Sequence, residues 1–176
     1  MERIASHIDK LNQYCGRVIS WLTLTMVITT FLVVVMRYLF NIGSIALQES
    51  ITWMHALVFM IGISYTLKRE GHVRVDIFYQ KMSPYLRAWI NLSGTIFFLL
   101  PLFGFILWAC WDYVLFSWSL NESSQEAGGL PYLFLLKTLL LVMPVLMILQ
   151  GISMLIHNLH QITSSHSLSE KTIKED

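Results

Sequence analysis

The nonapeptide KREGHVRVD, Lys68 to Asp76, gathers three basic side chains, a histidine and two carboxylates in a chain with only 13% charged residues. His72, Arg74 and Asp76 alternate with Val73, Val75 and Ile77, so an extended backbone presents imidazole, guanidinium and carboxylate on one side. Such a trio is read as a local hydrogen-bonded cluster that requires no catalysis, while Lys68, Arg69 and Arg74 help hold the segment in the cytoplasm near anionic lipid. A second polar concentration, SWSLNESSQEAGGLP from Ser117 to Pro131, carries Glu122 and Glu126 ahead of Gly128 and Gly129. Glycine reaches backbone angles barred to other residues, so Gly128, Gly129 and Pro131 shape a turn that displays these carboxylates. Arg37 and Glu49 flank the short connection between the first two apolar runs, and either they pair or Arg37 holds a lipid headgroup.

The elements that position these groups follow from composition. With 55% hydrophobic residues and a mean hydropathy of +0.59, the chain has too little polar surface for a soluble globule. Its charges gather at the ends of long uncharged runs. VISWLTLTMVITTFLVVVM separates Arg17 from Arg37, SITWMHALVFMIGISYTL separates Glu49 from Lys68, AWINLSGTIFFLLPLFGFILWACW separates Arg87 from Asp112, and TLLLVMPVLMILQGISMLI lies between Lys137 and His157. At about 1.5 Å per residue each is long enough to cross a hydrocarbon core of about 30 Å. Lipid offers no hydrogen bonds to an open strand, so continuous runs of this length are helical. The expected fold is an all-α membrane protein, a single domain over 1–162 with spans at about 18–36, 50–67, 88–111 and 138–156.

Ten of the twelve Lys and Arg residues fall before the first run, between the second and third, or after the fourth. Basic residues are retained in the cytoplasm, which predicts cytoplasmic N and C termini. Two cytoplasmic-side amphipathic helices are also expected. In 1–17, Ile4, Ile8, Leu11 and Cys15 form an apolar stripe opposite Asp9, Asn12 and Gln13, which predicts a helix lying on the membrane face before the chain turns inward. The segment 72–82 is read as interfacial, with a short amphipathic helix ending near Met82, and Ser83-Pro84 as the cap and first turn of the third span. The tail 163–176 is polar and expected to be disordered. No small-x-small cleavage site follows the first span, which is therefore expected to be retained.

Within the spans, chemistry is scarce. Only His55 among Asp, Glu, Lys, Arg and His interrupts the four runs, whereas an ion or proton path needs a series of such groups or broken helices. The alternative of a membrane anchor for a respiratory electron-transfer enzyme needs facing histidines for haem, and His72, His157 and His160 are expected at the opposite end from His55. Cys15 and Cys110 form neither a CxxC nor a zinc pattern. No catalytic residue, metal site or cofactor is expected, and the lone net positive charge gives no reason to expect a nucleic-acid partner. Hydroxyls and glycines at Ser20, Thr23, Thr30, Gly94, Gly151 and Ser153 are read as positions for close helix packing.

Around these spans the order MRYLFN, Glu49, GHVRVD and NESSQEAGGLP, from about Val33 to Gly151, resembles the small membrane subunit of tripartite ATP-independent periplasmic (TRAP) transporters. HVRVDIFY and AGGLP are most similar to the branch labelled for mannitol or chloroaromatic compounds. The resemblance implies a noncatalytic inner-membrane subunit that braces a large transport subunit and helps dock a periplasmic solute-binding protein. Uptake of an organic acid or related solute would then be driven by a sodium or proton gradient. It also makes the lipid bilayer a partner, and assigns contacts to Arg37, Glu49, His72, Arg74, Asp76, Glu122, Glu126, Gly128, Gly129 and Pro131.

Overall fold

The computed structural model describes residues 2–69, 71, 79 and 81–175, the side chains of Glu2, Ile4 and 164–175 excepted. These residues form four long helices and no strand: α1 (Glu2–Leu39), α2 (Ile45–Lys68), α3 (Pro84–Ser119) and α4 (Leu133–Glu175). Each is long and apolar enough to cross a membrane, and each encloses one of the uncharged runs. The chain passes up, down, up and down. Lys68 and the first turns of α1 meet α4 near Gln150 and Ser153 at one end; the 120–132 connection meets the start of α2 at the other. We call these the Lys68 end and the loop end.

Helix α4 packs against all three others. Its contact face includes Leu139, Leu146 and Met147, and Pro144 is buried within it. The apolar core joins Leu67 of α2, Phe103 of α3 and Met147 of α4, flanked by Ile63, Leu99, Ile106, Met143, Ile148 and Met154. Outside this core the usual distribution is inverted. Phe31, Phe97, Phe98, Phe105 and Trp108 are exposed, while Asn12, Ser64, Gln150 and Ser153 are buried. Water would penalise such a surface heavily, whereas hydrocarbon accepts it and drives the polar groups inward to find one another.

Two glycines permit close helix approach. A Cβ at Gly16 of α1 would lie 2.9 Å from Cδ1 of Tyr65 and nearer still to the stem of that ring, so the aromatic plane rests on bare backbone. At Gly151 a Cβ would stand 2.7 Å from Cδ2 of Leu99, where α4 crosses a π-helical turn at Thr95–Leu99 in α3. That turn has a local cause. Pro101 has no N–H to give Phe97, and its ring would crowd that carbonyl; widening the preceding turn, with Leu100 donating to the Thr95 carbonyl, relieves the crowding.

Two expectations change here. The helix expected to lie on the membrane over 1–17 is the first part of α1, which runs without a turn to Leu39. Its polar stripe points inward: Asn12 is fully buried while Leu11 and Val18 are exposed, because Gln150 and Ser153 on α4 offer that stripe partners. The hydroxyls of Ser20, Thr23, Thr25, Thr29 and Thr30 bond back to the carbonyl four residues earlier rather than across helices, the cheapest satisfaction available in lipid.

Ser83 does cap α3, accepting the Leu86 N–H at 3.3 Å with Pro84 next in the helix. Apart from Tyr79, Lys81 and Met82, the interfacial segment 72–82 lies outside the described residues, as do His72, Arg74 and Asp76. Gly71 closes α2 by donating its N–H to the Thr66 carbonyl at 2.9 Å, a six-residue cap. The backbone of α4 continues helical to Glu175; the disordered tail expected over 163–176 concerns residues whose side chains, from 164 on, lie outside the described set.

Candidate functional site: a loop held by two carboxylates

The loop 120–132 between α3 and α4 is fastened at two places by glutamates. Glu49 sits in the second turn of α2, whose start is fixed by Ser44, the Oγ of which accepts the Leu47 N–H. Asn41, in the left-handed region at φ 53°, turns the chain between α1 and α2, a conformation asparagine tolerates well. From that position the two carboxylate oxygens divide their work: Oε1 accepts from the Ser124 hydroxyl and Oε2 accepts the Leu130 N–H at 2.6 Å. Ser124 and Leu130 are themselves joined, the Ser124 N–H donating to the Leu130 carbonyl at 3.2 Å. One side chain thus closes both ends of a small ring.

Inside that ring the turn chemistry is explicit. The Gly129 N–H donates to the Glu126 carbonyl at 3.0 Å, and Gly128 between them has φ +81°, the signature of a type II turn. Gly129 is needed for space: a Cβ there would stand 2.8 Å from Oε2 of Glu49 and closer to Ser124. Pro131 follows, exposed, and Tyr132 at φ 70° redirects the chain into α4.

Glu122 makes the second fastening. Its Oε2 accepts from Ser117 Oγ at 2.6 Å and from Lys137 Nζ at 2.5 Å, and the same ammonium lies 4.4 Å from the centre of the Tyr113 ring. The Trp118 indole N–H adds a bond to Thr138 at 2.9 Å. The end of α3 is therefore stitched to the start of α4. The Lys137 and Ser117 hydrogen bonds hold the Glu122 carboxyl below the usual carboxylate range.

A depressed pKa means that the folded state favours the charged form. The contribution of Glu122 is fully present above the ordinary carboxylate pKa and is lost as pH falls through the lower folded value. We expect the loop fastening to be indifferent to pH between about 8 and 5 and to loosen only below about 4. The fluorescence of a variant keeping Trp118 as its one tryptophan reports this, and a transition near neutrality would contradict it.

Of the residues singled out from sequence, the structure brings Glu49 and Gly129 together and separates Glu122 from Glu126. Glu122 is turned into the helix pair; Glu126 is exposed at the turn, only its backbone being engaged, with the N–H donating to Ser124 Oγ at 3.2 Å. Arg37 is exposed in the last turn of α1 and is not brought to Glu49, whose two oxygens are taken by the loop.

Sequence reasoning passed over Ser124 and Lys137, and a whole network at the Lys68 end. There Asn12 donates to Gln150 Oε1 at 2.6 Å and accepts from Ser64 Oγ at 3.2 Å. The Asp9 carboxylate accepts from Ser153 at 2.8 Å and from Gln150 at 3.3 Å, and Lys68 Nζ donates to the Asp9 carbonyl at 2.6 Å. Three helices are joined in one polar cluster. The available signal was Gln150, an amide inside a run that has to be buried in lipid or protein.

Comparison with known proteins agrees with this architecture. Residues 26–161, well over half the chain, match the family described as "Tripartite ATP-independent periplasmic transporters, DctQ component". A 75-residue stretch is 31% identical to the C4-dicarboxylate TRAP transporter small permease protein DctQ of Vibrio cholerae. That match covers 43% of this chain and 31% of the relative, so the similar stretch is under a third of the curated protein's length. No solved structure matches. From the family match and the four apolar helices it follows that the chain belongs to the DctQ component family of TRAP transporters and is a multi-pass protein of the inner membrane.

Proposed function

We propose that this chain is the small, noncatalytic membrane subunit of a TRAP-type secondary transporter. It braces the large transport subunit and offers part of the surface on which a periplasmic solute-binding protein docks. The observation that carries this reading is the loop 120–132, held by Glu49 and Glu122 to three helices and yet presenting Glu126 outward. A loop fixed on a rigid scaffold suits protein recognition. The charge distribution supports an orientation in which the loop end is periplasmic and the Lys68 end and both termini cytoplasmic. His72, Arg74 and Asp76 then belong to a cytoplasmic elbow between α2 and α3, available to the large subunit.

The transported solute is an organic acid or a related compound, taken up on an ion gradient. The curated relative is named for C4-dicarboxylates, while HVRVDIFY and AGGLP point to the mannitol or chloroaromatic branch; the solute is selected by the partner subunits. The electron-transfer anchor gains no support, because His55 lies on α2 towards the loop end and His157 on α4 at the other, with its Nδ1 bonded to the Ser153 carbonyl at 2.9 Å.

A photo-crosslinker at position 126 should capture the solute-binding protein, whereas one at the inward-facing position 122 should not. Silence at 126 in a complex competent for uptake would sink the docking reading.

A further inference from the structure

At the Lys68 end, between the four helices, a cavity of about 300 Å³ is lined by Asp9, Lys68, Asn91, His157 and Asn158, with Met154 as its apolar wall. Its least expected member is Asn158. The residue is only 9% exposed, and its side-chain amide makes no hydrogen bond with any described residue, though a buried amide left unpaired is costly. The neighbours keep spare capacity as well. Lys68 Nζ spends two donors, on the Asp9 carbonyl and on Gln13 Oε1 at 3.4 Å, so a third N–H remains. Asp9 uses only Oδ1. Asn91 donates Nδ2 to the Tyr79 hydroxyl at 2.9 Å, which leaves its Oδ1. His157 must donate through Nδ1 to the Ser153 carbonyl, so neutral imidazole presents the Nε2 lone pair.

The unspent groups are thus acceptors from Asp9, Asn91 and His157 beside donors from Lys68 and Asn158. One fixed negative and one fixed positive charge cancel. The lining complements a ligand that carries both an anion and a hydrogen-bonding cation, rather than an anion alone. Its depth narrows the choice further. Lys68 is the last residue of the α2 span, and Asn91 follows by two residues the exposed Trp89, which pairs edge-on with exposed Tyr85 at 6.5 Å. Exposed aromatics at a span's end mark headgroup level.

We propose that this cavity binds the phosphoethanolamine headgroup of a membrane phospholipid, with the primary ammonium towards Asp9, Asn91 and His157 and the phosphate towards Lys68 and Asn158. A quaternary choline cannot donate hydrogen bonds to these acceptors. A phosphatidylglycerol headgroup offers these acceptors only neutral hydroxyl donors and brings no cation to the Asp9 carboxylate. Water is the competing occupant, since about ten molecules at ~30 Å³ each would fill the space.

The test uses the full chain, stripped of lipid and titrated with dioleoyl phosphatidylethanolamine, phosphatidylcholine or phosphatidylglycerol, with retained lipid read by native mass spectrometry. One phosphatidylethanolamine per chain should be retained about tenfold more strongly than the other two, the scale of charge-assisted hydrogen bonds. Asn158→Leu should remove most of that preference and Asn158→Gln should restore part of it. Equal retention of the three lipids, which needs no variant to measure, overturns the proposal in favour of a hydrated cavity. So does a preference that survives Asn158→Leu. If soluble glycerophosphoethanolamine saturates the site while lipid does not, the headgroup chemistry stands but its membrane source is overturned.

Discussion

Replacing Glu49 with alanine should release the 124–130 part of the loop from α2 and abolish most binding-protein-dependent uptake. Glu122 still ties the loop's start to α3 and α4, and four helices remain in the membrane. The carboxylate is the shared acceptor for the Ser124 hydroxyl and the Leu130 N–H, two groups six residues apart that have no other means of being held against α2. Alanine supplies no acceptor, and the 124–130 ring is left with only its internal bonds and none to α2. Amide exchange at Leu130 and at Gly129 should rise by about tenfold or more, since local opening is governed by the bonds that must break. Glu49→Gln is the informative companion. Its carbonyl can still accept from Leu130 and its amide can donate to Ser124, so an intermediate effect is expected. An alanine variant with wild-type exchange and uptake would show that the loop is positioned by something else.

The second large effect is at the opposite end. Asn12 is fully buried, and its removal leaves Gln150 Oε1 without a donor at a position only 2% exposed. Two magnitudes compete. Interhelical hydrogen bonds in membranes average about 0.6 kcal/mol, whereas a buried group stranded without a partner costs about 1–3 kcal/mol. Ser64 retains its bond to the Ile61 carbonyl at 3.0 Å, so one group is stranded. The stranding term should win, giving a loss of about 2 kcal/mol for Asn12→Leu. Adding Gln150→Leu removes the stranded group, so the double variant should cost less than the sum of the singles by about 1 kcal/mol. Reversible unfolding of the wild type and the three variants in one lipid mixture measures this, and strict additivity would contradict the network.

These effects lie where the sequence is hardest to read. The spans are legible because hydrocarbon imposes length and apolarity on contiguous residues, and Ser83-Pro84 is legible because capping is local. The direction of the polar stripe on α1 is not. Asn12 and Gln150 are 138 positions apart, and no periodicity within 1–17 says whether a polar face meets headgroups or another helix. Glu49 likewise draws attention as a charge at a span boundary, and Arg37 is its plausible partner on charge alone. The actual partners, a hydroxyl and a backbone N–H 75 and 81 residues away, carry no charge to advertise them. The space under Gly129 is set by what packs there, Glu49 and Ser124. That glycine is conspicuous in the sequence, but the neighbours that explain it are not.

Co-purification gives the most direct test of the account. This chain, tagged and co-expressed with the large membrane subunit and the solute-binding protein of its own system, should isolate the large subunit with it, and proteoliposomes lacking it should fail in binding-protein-dependent uptake. A large subunit that purifies without this chain and transports at the full rate would contradict the central claim.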